Sequence, residues 1–267
     1  MPKIAVNGIQ VYCELHGPAD AEVVVLSNGI LMSTASWGLQ VPALSRRHRV
    51  LLYDCRGMWQ SDHPAGPYSM ELHADDLAGL LDALGIRRAH IAGISYGGEL
   101  SMAFAIKYPE RTRSLIVSSS VSQIDPLLHA WGDSWMAAAR LHDPDMLFFA
   151  TCPLNFSEAF IAANAATLAA ARERYRLLDM DAFLELMLAF TRLDLTARLH
   201  EIQAPALVMV GEDDILKPRK YAEIIARAIP GAEFAVVPHA GHAVSWEQPA
   251  LFNTLVLGFL AKHQETH

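Results

Sequence analysis

The chain has little that would hold a polyanion, a metal or a membrane. Among its 267 residues, 21 Lys and Arg stand against 29 Asp and Glu, a formal net charge of −8, and no extended run of basic residues occurs. Such a surface repels nucleic acid, so none is expected as a partner. Cysteine is scarce: Cys13, Cys55 and Cys152 are few, odd in number and far apart. That set makes neither a disulfide framework nor a metal-ligand spacing, so buried thiols are expected, with no metal and no cofactor. No uninterrupted apolar stretch reaches the ~20 residues of a membrane-spanning helix. Met1-Pro2-Lys3 runs directly into a strand-like segment, so no secretory signal is expected. The reading is a soluble cytoplasmic protein with no membrane span, a monomer or homodimer. Internal repeats, low-complexity tracts and linkers are also missing.

What the chain does have is apolar content, 52% of its residues, enough for one large core. The pattern opens with two alternating runs, Lys3 to Val6 and Ile9 to Leu15, around Asn7-Gly8, which predicts an antiparallel hairpin. Short, continuous apolar runs follow at Val23–Leu26, Val50–Tyr53, Ala89–Ala92, Leu115–Val117, Ala206–Val210 and Glu233–Val237. Runs of this kind read as strands buried on both faces. Helix-like stretches separate them: Ala35 to Arg47, Ser69 to Leu84, Glu99 to Lys107, Lys217 to Ile229 and Pro249 to Lys262. Alternation of strand and helix predicts an α/β fold, a mostly parallel twisted sheet with helices on both faces. From residue 121 to 200 the strand signal vanishes and two helical tracts take over, Pro126 to Leu141 and Glu158 to Leu199. The expected organisation is therefore a core domain of residues 1–120 and 201–267, with residues 121–200 inserted as a helical cap over the carboxyl edge of the sheet.

The stretch Gly93-Ile94-Ser95-Tyr96-Gly97-Gly98 lies between a strand and a helix. A turn that sharp strains the serine backbone and needs small neighbours, which Gly93 and Gly97 provide. It pushes Ser95 Oγ out at the carboxyl edge and leaves the Tyr96 N–H unpaired at a helix start, where it can hold an oxyanion. A serine hydroxyl is a poor nucleophile alone and needs a base, with a carboxylate to fix that base's tautomer. Twelve histidines are present, so position decides. His242 follows the last strand in Pro238-His239-Ala240-Gly241-His242 and points toward the same edge; His239 competes but lies nearer the strand end. For the acid, the strand before it ends at Gly211-Glu212-Asp213-Asp214. Asp214 is favoured because the chain must first turn at Gly211; Asp213 is the runner-up and Asp125 a third option. The second oxyanion donor is expected after Leu26, where Asn28-Gly29-Ile30 turns: the Ile30 N–H first, then Leu31.

In these motifs, and in their order Ser…Asp…His, the chain resembles the α/β-hydrolase fold superfamily over essentially its whole length. The family's His-Gly oxyanion loop corresponds to Asn28-Gly29, and its Asp-x-Arg-Gly-x-Gly-x-Ser loop to Asp54-Cys55-Arg56-Gly57-Met58-Trp59-Gln60-Ser61. Its nucleophile elbow corresponds to Gly93–Gly97, and its acid and base loops to Gly211–Asp214 and Gly241-His242. The resemblance implies nucleophile Ser95, acid Asp214, base His242 and a helical cap. Two departures stand out: Asn28 where the family has histidine, and Trp59 where it has glycine, a ring that either reshapes the loop or walls the pocket. The segment from Asn28 to Trp37 also resembles the oxyanion region of acyltransferases that join hydroxyacyl groups taken from a carrier-protein thioester.

The inserted helices carry Trp131, Trp135, Met136, Phe148, Phe149, Phe156, Phe160, Met187 and Phe190, a set that suggests an apolar, adaptable pocket wall. Asn28, Gly29, Leu31, Trp59, Trp131, Trp135, Phe149 and Met187 are expected beside a small apolar acyl substrate. No cluster of Arg or Lys stands in the right loops to bind a carboxylate, although Arg140 and Arg192 could. The expected activity is a cofactor-independent serine hydrolase acting on carboxylic esters, lactones or thioesters. Alternatives are an acyltransferase to an alcohol, a carbon–carbon bond hydrolase or lyase, and a non-catalytic ligand receptor of the same fold.

Overall fold

The computed structural model describes residues 3–264. In chain order its elements are β1 (Lys3–Val6), β2 (Ile9–His16), β3 (Val23–Ser27), α1 (Val41–Leu44), β4 (Arg49–Tyr53), α2 (Met70–Ala83), β5 (Ala89–Ile94), α3 (Tyr96–Lys107) and β6 (Thr112–Ser118). Five helices follow without a strand between them: α4 (Pro126–Arg140), α5 (Pro144–Asn155), α6 (Glu158–Ala163), α7 (Ala165–Tyr175) and α8 (Met180–Thr191). The chain then returns to β7 (Ala206–Gly211), α9 (Arg219–Ala228), β8 (Glu233–Val237), α10 (Val244–Glu247) and α11 (Pro249–Lys262).

Eight strands form one sheet in the order β1-β2-β4-β3-β5-β6-β7-β8. The hairpin β1–β2 turns on Asn7 and Gly8, both at positive φ, and β2 joins β4 antiparallel. From β4 onward every pairing is parallel. Alternate residues of each central strand feed opposite cores. Val25, Leu51, Ile91, Val117 and Val208 pack with Leu77 and Leu81 of α2, Phe104 of α3 and Ile225 of α9. Val24, Leu26, Val50, Leu52 and Ile116 pack with Leu44 of α1 and Phe252, Val256 and Leu260 of α11. Burial on both faces explains why these strands read as continuous apolar runs.

The structure departs from the sequence reading in the connections. The stretch Ala35 to Arg47 holds a short 3-10 turn, Thr34–Trp37, and the four-residue α1 in place of one helix. The tract Glu158 to Leu199 breaks into α6, α7, α8 and a 3-10 segment at Thr196–Glu201. Helix α5 has no counterpart in the reading, because Pro144 and Pro153 interrupt its pattern; Asp143 caps it by accepting from the Met146 N–H, and Pro144 sits at its first position, where no N–H is needed. The three cysteines are unpaired and buried. No helix among the described residues is long and apolar enough to cross a membrane.

Candidate active site

Four loops meet at the carboxyl edge of the parallel strands: those after β3, β5, β7 and β8. Pairing of Ser27 with Gly93 sets the β3 loop beside the turn after β5. At that turn Ser95 has φ 54° and ψ −120°, a conformation that a non-glycine residue adopts only under strain. Glycine is required on both sides of it: a Cβ at Gly93 would strike the Gly97 carbonyl, and a Cβ at Gly97 would strike the Ser27 carbonyl. Helix α3 starts directly at Tyr96, three residues earlier than the sequence pattern suggests. Among the described residues neither the Tyr96 nor the Ile30 N–H donates to another group, so both stand available beside Ser95. Tyr96 itself is held from behind, its hydroxyl 2.8 Å from His73 Nε2. Burial holds the His73 imidazole neutral by lowering its pKa to about 3.

His242 and Asp214 are both buried, and His242 Nδ1 lies 2.9 Å from Asp214 Oδ2. The other carboxylate oxygen of Asp214 accepts from the Lys217 N–H at 2.8 Å. The alternative acids are occupied elsewhere. Asp213 is exposed, and Asp125 caps α4 while accepting from the Tyr221 hydroxyl at 2.6 Å. His239 is exposed on the β8 turn, at φ 55°.

Two chambers flank Ser95. The outer one is a cavity of about 300 Å³, open to solvent and lined by Gly29, Ile30, Leu31, Trp59, Trp135, Phe148, Phe156, Arg174 and His242 among others. Its one lysine or arginine is Arg174, from α7. The guanidinium lies 4.6 Å over the Trp59 ring and donates to Ser33 Oγ at 2.8 Å. Trp59 takes φ 43° where the loop would ordinarily favour glycine, and its ring forms part of the chamber wall. The inner chamber is small, about 30 Å³, and is lined by Ile30, Ser95, Tyr96, Glu99, Leu128, Trp131, Gly132, Trp135, Met187, Phe190, Leu216 and Lys217.

Lys217 and Glu99 are the residues that sequence reasoning missed. The pattern places Lys217 at the start of a helix, but α9 begins at Arg219, and the Asp214 carboxylate holds the Lys217 backbone in a turn that sends the side chain inward. Lys217 Nζ donates to Glu99 Oε1 at 2.5 Å and to Ser95 Oγ at 3.0 Å, and lies 4.8 Å from the Phe190 ring centre. Both side chains are almost fully buried, and the Val121 N–H also donates to Glu99 Oε1. The contact with Lys217 is the one hydrogen bond of Ser95 Oγ among the described residues. Substrate-free sites often leave the nucleophile–base contact to form on binding.

Of the other expected substrate contacts, Gly29, Leu31, Trp59 and Trp135 line the outer chamber, and Trp131, Trp135 and Met187 the inner one. Two do not. Asn28 is fully buried beneath the loop, where its side chain joins Trp37 Nε1 at 2.8 Å, the Tyr53 carbonyl and Asp54. It is a strut of the loop after β3, and burial raises the pKa of the Asp54 carboxyl it touches to about 6. Phe149 is 59% exposed and packs on Phe148 and the Arg172 guanidinium; Phe148 takes the chamber position. Arg140 and Arg192 are exposed and line neither chamber.

Comparison with known proteins agrees with the fold. The family profile described as alpha/beta hydrolase fold matches residues 22–249. The chain is 34% identical over 259 residues to "Putative carbamate hydrolase RutD" of Caulobacter segnis, covering 92% of this chain and 95% of that protein. Among solved structures, it superposes with a TM-score of 0.93 on MGS-M2, an alpha/beta hydrolase enzyme from a deep-sea metagenome library, at 29% identity and 99% coverage of both chains. The enol-lactonase from Burkholderia xenovorans LB400 matches at 30% identity and a TM-score of 0.92, with 97% of this chain and 100% of that chain covered.

Proposed function

The chain belongs to the alpha/beta hydrolase family, and from that premise we propose that it cleaves carboxylic esters, lactones or thioesters through an acyl-enzyme on Ser95. One observation carries the reading: a serine in a strained turn shares the outer chamber with a buried histidine whose other ring nitrogen lies against a buried carboxylate.

The residues then act in sequence. Asp214 fixes the His242 tautomer with the proton on Nδ1, which leaves Nε2 to accept. As Ser95 Oγ bonds to the acyl carbon, its proton passes to His242 Nε2. The Tyr96 and Ile30 amides hold the resulting oxyanion, each worth roughly 3 kcal/mol in sites of this kind. The carbon–oxygen or carbon–sulfur bond of the leaving group then breaks, and His242 returns the proton to it. Water repeats the cycle against the acyl-enzyme and frees Ser95. The helices between β6 and β7 serve as the cap: α4 and α8 close the inner chamber, and α5 and α7 wall the outer one. Two contacts tie this block to the base loop, the Ala243 N–H to the Asn155 carbonyl and Glu247 to the Ser157 and Gly241 amides.

The same steps accommodate a carbamate, as in the name of the RutD relatives, or an enol-lactone, because both present an acyl carbon to a nucleophile. A graded series of p-nitrophenyl esters and acyl thioesters tests the proposal. Turnover by the wild type and none by Ser95→Ala is expected; equal turnover by the two contradicts it. Product partition in added alcohol separates hydrolysis from acyl transfer.

A further inference from the structure

We propose that Lys217 and Glu99 make the inner chamber a subsite for a hydroxyl on the carbon next to the scissile carbonyl, so that the preferred acyl group is a 2-hydroxyacyl. The inference rests on the acyl-enzyme reading of Ser95 and narrows its substrate class.

The chamber is mostly apolar, yet its lining residues hold three buried polar atoms without hydrogen-bond partners among the described residues: Glu99 Oε2, Trp131 Nε1 and Trp135 Nε1. A pocket evolved for a plain alkyl chain gains nothing from such atoms, because each costs free energy while unpaired. The Lys217 ammonium adds a second demand. In the substrate-free chain it donates to Ser95 Oγ. Once acylated, Oγ is an ester oxygen and a weak acceptor, so a buried ammonium loses one of its two oxygen partners as the intermediate forms.

A hydroxyl answers both demands. Its oxygen accepts from Lys217 Nζ, and its proton goes to Glu99 Oε2. A carboxylate in the same place would set a second negative charge against Glu99. A methoxy oxygen would accept from Lys217 but leave Glu99 Oε2 unpaired, and a methyl group would leave both unpaired. The pair Lys217–Glu99 is itself neutral overall, which suits a neutral polar group. Reach sets the position on the chain. Nζ stands 3.0 Å from Oγ, and an oxygen on the carbon next to the carbonyl is three bonds from Oγ, at a similar separation. A free volume of only about 30 Å³ favours that oxygen over one carried further along the chain.

The test compares kcat/KM for p-nitrophenyl lactate, 2-methoxypropionate and propionate, each divided by its rate of hydrolysis by hydroxide to remove intrinsic reactivity. Wild type is expected to favour lactate over propionate by about tenfold or more, the scale of a hydrogen bond to a charged group, and 2-methoxypropionate by far less. Lys217→Met and Glu99→Gln should each bring the lactate preference down about tenfold. If Lys217→Met fails to fold with Glu99 uncompensated, the double variant Lys217→Met/Glu99→Gln, which removes both charges, carries the measurement. A wild type without the preference, or variants that retain it, overturns the inference. Labelling by a small fluorophosphonate in the same preparations separates the two levels. An adduct on Ser95 with no hydroxyl preference overturns the subsite alone; no adduct on wild type overturns the Ser95 reading and the subsite with it.

Discussion

The two chambers beside Ser95 are built on opposite rules. The inner one is small and mostly apolar, and its charges cancel: Lys217 is answered by Glu99. The outer one is roomy and open, and the Arg174 guanidinium within it meets only a serine hydroxyl and the Trp59 ring among the described residues. Buried, the lysine needs a carboxylate to offset its desolvation. The half-buried arginine needs none, because water and an aromatic face suffice. One nucleophile set between two such chambers can treat the two halves of a substrate differently. On the acyl-enzyme proposed above, with the acyl group in the inner chamber, fit and hydrogen bonding would limit the acyl side, and the outer chamber would leave the leaving group freer apart from one positive charge.

The largest effect is expected at the His242–Asp214 pair. Asp214→Asn should lower kcat on any p-nitrophenyl ester about 10⁴-fold with little change in stability, because the wrong tautomer of His242 is then favoured. Steady-state kinetics and a melting curve check this. Trp135 lines both chambers and is buried. Trp135→Ala should merge them, removing discrimination between short and long acyl chains at a cost of about 3–5 kcal/mol in stability. The ratio of kcat/KM for acetate and octanoate esters, with a denaturant titration, reads both effects. Arg174→Met should act on the outer chamber alone. It should raise KM several-fold for esters with an anionic leaving group and leave neutral ones near wild type, since a half-buried cation in an open chamber is partly screened and contributes modestly.

The smallest effect lies beneath the elbow. An unfolded chain protonates His73 below pH ~6.5, while the native chain keeps it neutral down to about pH 3. The unfolded state therefore binds more protons in that interval, and the contribution of His73 to stability, complete above pH ~6.5, is lost as pH falls. Tm measured from pH 7 to 5 should fall less steeply for His73→Gln than for wild type.

The elbow, His242 and Asp214 were legible in the sequence because each is a short local pattern at a strand end. A parallel sheet gathers such ends on one edge whatever lies between them. The inner chamber was not legible. Lys217 and Glu99 are 118 positions apart, and each has an ordinary local explanation, a helix start and an acidic first turn. Only the turn imposed by Asp214 on the Lys217 backbone sends that side chain inward. Phe149 was misplaced for a related reason: an aromatic pair on a helix does not announce which member faces the cavity, and here Phe148 does. Arg174 sits in the α7 tract, whose residues are mostly exposed and give no clear apolar face. The signal that could have revealed α5 was present in Asp143-Pro144, a capping residue followed by a proline at the first helical position.

Intact-mass measurement after incubation with a small fluorophosphonate, on wild type and on Ser95→Ala, tests the account at its centre. One adduct on the wild type, mapped to Ser95, and none on the variant is the predicted result. An unlabelled wild type, or equal labelling of the variant, would contradict an activated Ser95 and with it the acyl-enzyme on which both chambers are proposed to act.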